Sequence, residues 1–362
     1  KNEIIINQTR EHVENLDLLP FPIRKQISNR FMPILTSRGC YGKCNYCGVR
    51  EYYDICNIKK MRFRSPDNVI EEIEKLNETY HPALFLISDE TFLSASKNRN
   101  KWLYEFLSII KSRNINIKFQ ALARVNDVLA NKDIIIKMKD IGLINVFIGV
   151  ESFVQRQLDF YNKKISVQQN VEAVRFLIEN GFKLSMGLMI LDPFTTIDEI
   201  KENIYWLQET QCYKYLDEKQ ELFSIDGPVI AIPGTELYYF LEKNDLLADT
   251  YFKYEFQDLN TALFYRITEM HKEYVKSISR KFYLIIKARE YKQYDDESIL
   301  QKAKIEAMRL DLDFMNELCE FVKQSDTTSN KINLFLQSWK QKFIKLNNVF
   351  NDINEKLSKF DL

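Results

Sequence analysis

The sequence predicts an α/β fold that continues into an all-helical C-terminal region. Between about residues 30 and 234, short apolar segments of strand length alternate with amphipathic helical segments, which is typical of a parallel sheet with right-handed crossovers. Residues 235–362 contain neither glycine nor proline. Because strand-rich folds need turn residues about every 8–12 positions, this stretch is predicted to be helical. The periodicity alone fits both a partial barrel and an open doubly wound sheet.

The predicted elements begin at residue 31. The first strand is predicted at 31–36, and the next helix at Ser65 and Pro66, because serine caps a helix start and proline suits its first position. Gly142 and Gly181 are predicted to end two later helices. The other strands are predicted at 83–87, 117–121, 146–150 and 184–191, with a sixth at 222–225 or 229–232.

Composition and charge exclude several classes of protein. The chain has 362 residues, 45% of them hydrophobic and 28% charged, as in an ordinary globular protein. Lysine plus arginine and aspartate plus glutamate each total 51, and the resulting net charge of zero disfavours a nucleic-acid or anionic-membrane partner. No apolar run approaches the ~18 residues of a membrane span. The first residues carry no signal-peptide pattern.

Three of the six cysteines lie within eight positions, at Cys40, Cys44 and Cys47. Clustered thiols in a chain without a secretion signal indicate metal binding rather than disulfides. Three of the nine glycines fall in the window 39–48, where they would let the backbone pack around an inorganic group. Structural zinc would need a fourth ligand, from Cys56 or a histidine. Three thiolates suffice for a [4Fe–4S] cluster with one iron open to a cofactor or substrate.

The spacing Cys-x3-Cys-x2-Cys after the first strand, with Tyr46 before the third cysteine, resembles the radical S-adenosylmethionine (radical SAM) superfamily. The resemblance covers roughly residues 4–240 and includes one fragment at each strand end. These fragments are Thr36-Ser37-Arg38-Gly39-Cys40, Ser88-Asp89-Glu90, Ala123-Arg124-Val125, Gly149-Val150-Glu151-Ser152, Asp192-Pro193 and Ile232-Pro233-Gly234. Each fragment alone is a weak signal, but their shared order along the chain is specific.

The resemblance implies a partial (β/α)6 TIM-like barrel with a C-terminal all-helical region. Residues 1–29 would be an N-terminal linker, 30–240 the radical SAM core and 241–362 a helical domain. The core would hold a [4Fe–4S] cluster through Cys40, Cys44 and Cys47, and the open iron would bind S-adenosylmethionine. Reductive cleavage would give a 5′-deoxyadenosyl radical that abstracts hydrogen from a substrate carbon. An oxidisable cluster implies a reducing, cytoplasmic setting and a flavodoxin- or ferredoxin-type electron donor.

The resemblance also implies which residues bind S-adenosylmethionine. They follow predicted strands, at the end of the sheet where parallel barrels bind ligands, and are Tyr46, Asp89, Glu90, Arg124, Glu151, Ser152, Ile232 and Pro233. Asp89 and Glu90 would accept the amino group, unless they form an acidic pair at a helix start. Glu151, helped by Ser152, would hold the ribose or the methionine part. Arg124 would pair with the methionine carboxylate or Glu151, or lie on the surface. Tyr46, Ile232 and Pro233 would contact the adenine.

Within the superfamily, the resemblance is strongest to the subgroup whose radical domain follows an N-terminal cobalamin-binding domain. Residues 3–7 and 13–22 resemble the linker between those domains, so we expect the chain to begin inside it. The sequence contains no Asp-x-His-x-x-Gly cobalamin motif.

Three functions therefore stay open at this point. They are cobalamin-dependent C-methylation; cobalamin-independent radical cyclisation, oxidation, rearrangement or epimerisation; and a metal-stabilised binding module without enzymatic activity. For an enzyme, the expected substrate is a small molecule or a peptide, and neither a membrane nor a nucleic acid is expected as a partner.

Overall fold

A five-stranded sheet forms the α/β part of the computed structural model, which describes residues 12–24, 31–58, 60–217, 227–248, 253–292, 297–324 and 327–358. Across the sheet the strands are β1 (Phe31–Ile34), β4 (Leu84–Ile87), β5 (Phe119–Arg124), β6 (Leu143–Glu151) and β7 (Lys183–Leu188). The pairs β1 with β4, β4 with β5, and β5 with β6 are parallel, with Met32 opposite Phe85 and Ala121 opposite Val146. Two short strands, β2 (Ser37–Arg38) and β3 (Arg62–Phe63), form a separate antiparallel pair. The predicted α/β class with a parallel sheet is confirmed.

Helices occupy most of the remaining described residues. Those of the α/β part are α1 (Gly48–Ile55), α2 (Pro66–Tyr80), α3 (Lys97–Ser112), α4 (Val125–Ala130), α5 (Lys132–Lys139), α6 (Gln155–Phe160), α7 (Val167–Glu179) and α8 (Ile197–Glu209). The C-terminal helices are α9 (Glu236–Lys243), α10 (Leu259–Lys292), α11 (Glu297–Val322) and α12 (Ser329–Ser358), which confirms the predicted helical region. Two short 3-10 helices lie at Leu16–Leu18 and Cys212–Tyr215. In the described ranges, no helix has both the length and the hydrophobicity that a membrane crossing requires.

Local sequence signals explain where several helices begin and end. The Ser65 side chain accepts a hydrogen bond from the backbone N–H of Asn68, and Pro66 is the first residue of α2, as predicted. Gly142 follows α5 with a φ of +102°, and a Cβ there would lie 1.8 Å from the carbonyl oxygen of Ile117. Only glycine therefore fits this turn between helix and strand.

The structure describes only one of the two candidate ranges for the predicted sixth strand. Its first candidate range, 222–225, lies outside the described residues. The second, 229–232, is described but forms no strand, and only the neighbouring Pro228 makes an isolated parallel bridge, with Leu191. Pro228 has no backbone N–H to donate, and the N–H of Val229 donates to the carbonyl of Leu191 at 2.8 Å.

The described residues fall into two compact units. The first unit consists of the described residues of Lys1–Gly149, Asp159–Ile165 and Ala231–Asn244, and the second of those of Val150–Leu158, Ser166–Ile230 and Asp245–Leu362. In the first unit, the rings of Phe92, Trp102, Phe106 and Phe119 pack together in the core, with Trp102 stacked on Phe106 at 5.2 Å. The predicted division at residues 30 and 241 stays a prediction.

His271 is buried among aromatic rings in the helical part of the second unit. It lies on α10 with 4% of its surface exposed, and its ring is 3.9 Å from that of Phe314 and 4.8 Å from that of Phe343. Its Nε2 atom has no hydrogen-bond partner among the described residues. Because burial disfavours the charged ring, the pKa of His271 is lowered to about 4.

We expect His271 to destabilise the fold by roughly 3 kcal/mol as the pH falls from 7 to 4. The unfolded chain binds this proton near the ordinary pKa of 6.5, whereas the folded chain binds it only near 4, so stability is complete above pH 6.5 and is lost below it. Urea unfolding of the wild type and His271→Phe across this pH range measures the effect. The variant should lack this part of the pH dependence, and identical pH profiles for the two proteins would contradict the prediction.

Candidate functional site

The three clustered cysteines lie on one loop of the first unit, which we call the cysteine loop (residues 39–47). Cys44 is buried, and Cys40 and Cys47 are half-buried. Cys47 immediately precedes α1, and its N–H donates to the carbonyl of Cys44 at 3.2 Å. Burial raises the pKa of the Cys40 thiol, and the nearby Cys44 and Cys47 raise it further, while the N–H of Gly42 and the charge of Arg124 oppose the rise.

Two of the three cysteine sulfurs receive hydrogen bonds from the protein. The N–H of Gly42 donates to Cys40 Sγ at 3.3 Å, and Arg124 Nη1 donates to Cys44 Sγ at 3.4 Å. Arg124 Nη2 donates to the carbonyl of Lys163 at 3.2 Å. Burial alone would lower the pKa of Arg124, but Cys44, Tyr41 and Cys40 outweigh burial and raise it. Arg124 therefore faces the cysteine loop as a cation and is not the surface arginine of the third alternative.

Tyr41 and Asp127 take part in the same arrangement, and neither was predicted from the sequence. The Tyr41 hydroxyl donates to Asp127 Oδ1 at 2.7 Å, and Asn126 Nδ2 donates to that hydroxyl at 2.9 Å. Burial and the carboxylate of Asp127 raise the pKa of Tyr41, which keeps its proton on the phenol. The available signal was the position of Asp127, three residues after the strand-end Arg124.

Asn45 ties the cysteine loop to two other segments of the first unit. Its N–H donates to the carbonyl of Tyr161 at 3.3 Å, and its side-chain amide donates to the carbonyl of Phe160 at 2.5 Å. Its own carbonyl accepts from the N–H of Leu237 at 2.9 Å. The ring of Tyr46 meets that of Tyr161 edge-on at 5.7 Å, which fixes the residue before Cys47.

Asp89 has a different role from the one predicted. It is fully buried and accepts hydrogen bonds from the N–H groups of Thr36 and Ser37 at 2.6 and 3.0 Å, from both of their hydroxyls, and from Arg99 Nη2 at 3.1 Å. With five donors and no exposed surface, this carboxylate cannot accept the amino group of a cofactor. The structure assigns Asp89 to holding the segment before the cysteine loop, which corrects the sequence-based role.

Glu90 lies at the start of the cysteine loop and is half-buried. Its Oε2 accepts from the N–H of Gly39 at 3.1 Å, and its Oε1 accepts from the Tyr53 hydroxyl at 2.9 Å. Each oxygen thus has one of these bonds and can accept a further one. The alternative of an acidic pair at a helix start is wrong for Asp89 and Glu90, because α3 begins only at Lys97 with Ser96 as its cap.

Ile232 and Pro233 are exposed and belong to the first unit. A Cβ on Gly48, the residue after Cys47, would lie 3.7 Å from Ile232 Cγ2. The structure therefore brings Ile232 to the end of the cysteine loop. Contact of Ile232 and Pro233 with an adenine stays a prediction.

Glu151 and Ser152 belong to the second unit. Ser152 is fully buried, with its hydroxyl 2.5 Å from Gln157 Oε1 and 3.1 Å from Asn203 Oδ1, and it accepts from the N–H of Val154 at 2.9 Å. Ser152 is thus a core residue, which corrects its predicted role beside a cofactor. Glu151 ends β6 with a φ of +64°, a left-handed conformation that costs a non-glycine residue about 1 kcal/mol and is found preferentially at functional sites. Its role toward S-adenosylmethionine stays a prediction.

The donor set of the cysteine loop fits an iron–sulfur cluster better than a single ion. Structural zinc requires four donors around one point, whereas the cysteine loop itself offers three thiols. Three thiols on one loop, with N–H donors to the sulfurs of Cys40 and Cys44, match the thiolate ligands and sulfur hydrogen bonds of iron–sulfur sites.

Comparison with known proteins identifies the family. The model of the Radical SAM superfamily matches residues 34–207. Residues 34–207 are therefore a radical SAM domain. Such a domain implies a [4Fe–4S] cluster and S-adenosylmethionine as cofactors.

The radical SAM protein has relatives named as methyltransferases. Over 282 residues it is 28% identical to an uncharacterized methyltransferase of Pyrococcus horikoshii. The aligned segment covers 78% of this chain and 57% of that protein. Over 270 residues it is 24% identical to the hopanoid C-3 methylase of Methylococcus capsulatus. The aligned segment covers 74% of this chain and 48% of that protein. The chain thus spans about half the length of these curated relatives.

The fold of the radical SAM protein is similar to that of apo OxsB, described as a cobalamin-dependent S-adenosylmethionine radical enzyme. The TM-score is 0.65 over 91% of this chain and 58% of that chain, at 16% sequence identity. At this identity the similarity concerns the fold alone, and it confirms the predicted TIM-like radical SAM architecture with its C-terminal helices.

Proposed function

We propose that this radical SAM enzyme holds a [4Fe–4S] cluster through Cys40, Cys44 and Cys47 and catalyses cobalamin-dependent methylation of a substrate carbon. The cysteine loop carries the cluster part of the proposal, because it presents three thiols and two N–H donors to their sulfurs. Two relatives that match about three quarters of the chain are named a methyltransferase and a methylase, which supports methylation. OxsB, which has a similar fold, is described as a cobalamin-dependent enzyme, and this supports cobalamin as the further cofactor.

A [4Fe–4S] cluster held by Cys40, Cys44 and Cys47 would supply the electron for the reductive cleavage of S-adenosylmethionine. The chain's own residues prepare this chemistry. The three thiols release their protons when they bind iron, and the cation of Arg124 offsets the negative charge that then develops on the loop. The Glu90 carboxylate accepts a hydrogen bond from the N–H of Gly39 and so keeps Gly39 in place. Because this carboxylate can accept further hydrogen bonds, Glu90 is our candidate partner for the amino group of S-adenosylmethionine.

The electron is proposed to come from a flavodoxin- or ferredoxin-type protein in a reducing cytoplasm. A small molecule or a peptide is the proposed substrate.

Anaerobic reconstitution tests the radical part of this proposal. We expect about four irons and four sulfides per chain, a brown protein, and equal amounts of methionine and 5′-deoxyadenosine after addition of S-adenosylmethionine and dithionite. A colourless protein that retains zinc, or a full cluster that leaves S-adenosylmethionine intact, would contradict it.

Methylation is tested with S-adenosylmethionine that carries a labelled methyl group. The reconstituted enzyme and dithionite are incubated with the small-molecule extract of cells that express the protein, with and without hydroxocobalamin. Cobalamin-dependent methylation predicts a labelled product that forms only with hydroxocobalamin. An unlabelled product of changed mass that forms without it would contradict methylation and favour cyclisation, oxidation or another radical reaction.

A further inference from the structure

Arg124 is held against the cysteine loop by three different contacts. Its Nη1 donates to Cys44 Sγ at 3.4 Å, its Nη2 donates to the carbonyl of Lys163 at 3.2 Å, and its guanidinium lies 5.3 Å from the centre of the Tyr41 ring. Tyr41 is itself fixed by its hydrogen bond to Asp127. The guanidinium therefore has a defined position beside the sulfur of a proposed cluster ligand.

Gly42 leaves the space that Arg124 occupies. A Cβ on Gly42 would lie 2.2 Å from Arg124 Nη1, 3.0 Å from its Cζ and 3.3 Å from Cys40 Sγ. Carbon and nitrogen atoms that are not bonded cannot approach to 2.2 Å, so any side chain at position 42 would move the guanidinium away from Cys44.

We infer that Arg124 is a positioning residue that raises the reduction potential of the cluster through Cys44, and that residue 42 is a glycine so that Arg124 can reach this sulfur. The inference depends on the proposed function, since it assumes the cluster on Cys40, Cys44 and Cys47. Reduction transfers one electron from the external low-potential donor to the cluster, and no bond forms or breaks. A hydrogen bond and a positive charge beside a ligand sulfur stabilise the more negative, reduced form, which raises the potential.

The test is a redox titration of the reconstituted enzyme, in which the reduced cluster is followed by electron paramagnetic resonance. At a fixed applied potential, we expect about a tenfold lower ratio of reduced to oxidised cluster in Arg124→Met, which equals about 59 mV for one electron. Arg124→Lys keeps the charge but loses the planar fork, so a smaller decrease is expected. Gly42→Ala should lower the ratio as Arg124→Met does, although its arginine is retained.

The double variant Gly42→Ala/Arg124→Met separates this inference from a general effect on the loop. If the alanine acts only by displacing Arg124, the double variant should differ from Arg124→Met by less than about twofold. Additive decreases would overturn the part of the inference that concerns Gly42.

Arg50→Met is the matched control. Arg50 follows Cys47 by three residues and carries the same charge, but its guanidinium contacts Asp54 at 3.1 Å and Glu236 at 3.6 Å. We expect the cluster of Arg50→Met to have the reduction potential of the wild type. A shift in this potential as large as that of Arg124→Met would overturn the role of the sulfur contact.

An unchanged potential in Arg124→Met with a full complement of iron would also overturn the inference. If Arg124→Met loses its cluster, the reduction potentials of Arg124→Lys and Gly42→Ala test the inference instead. Unchanged potentials in both of these variants would overturn it. A wild-type enzyme that binds no cluster would instead refute the proposed function.

Discussion

Cys44→Ala is expected to abolish cluster assembly and S-adenosylmethionine cleavage and to leave a folded chain. Two thiolates cannot replace the three that the cluster needs, so cleavage should fall to the level of the protein-free reaction. Cys44 is buried, with 7% of its surface exposed, but loss of one sulfur atom leaves only a small cavity and costs about 1 kcal/mol. Iron and sulfide content, 5′-deoxyadenosine formation and circular dichroism together measure the result.

Cys56→Ala is the matched control for this experiment. Cys56 is half-buried in the same unit and caps the C-terminal end of α1, the helix that follows Cys47. This variant should keep the full cluster and wild-type cleavage. Cleavage retained in Cys44→Ala, or cluster loss in Cys56→Ala, would show that the ligands have been assigned wrongly.

Asp89→Ala is expected to lower the free energy of unfolding by roughly 3–5 kcal/mol, because it leaves a buried charge without its partner. Arg99 is fully buried, and the Asp89 carboxylate is its only ion-pair partner in the described part of the chain. The N–H groups of Thr36 and Ser37 would lose their acceptor as well. Urea unfolding of the cluster-free protein under reducing conditions measures the loss.

Asp67→Ala provides the comparison for Asp89→Ala. The Asp67 carboxylate is 65% exposed and pairs with Arg113 at 3.1 Å on the surface, so its removal should cost less than about 1 kcal/mol. Because Asp89 also holds the segment before Cys40, Asp89→Ala should bind less iron than Asp67→Ala. Equal unfolding free energies for the two variants would contradict the role that the structure assigns to Asp89.

Signals that act over a few residues allowed much of the fold to be predicted. The cap at Ser65, the turn at Gly142 and the glycine- and proline-free tail each depend on neighbouring residues, and all three were correct. Of the two candidate ranges for the sixth strand, 229–232 forms no strand, because strand formation also depends on partners elsewhere in the chain, and 222–225 stays a prediction.

The functional site was harder to predict than the fold, because it depends more on contacts between residues that are distant in sequence. The cysteine spacing identified the loop, but Asp89 and Glu90 are neighbours in sequence with different surroundings. Asp89 binds residues 52 and 53 positions before it, and the partner of Arg124, Cys44, lies 80 positions away. Contacts over such separations leave no periodic pattern in the sequence, so neither the buried role of Asp89 nor the sulfur contact of Arg124 could be predicted.

The bond between Asn45 and Leu237 has a consequence for biosynthesis. It joins residues 192 positions apart, so the carbonyl of Asn45 finds this partner only after the ribosome has synthesised residue 237. A nascent polypeptide that ends earlier would present its thiols on a loop that still lacks this attachment.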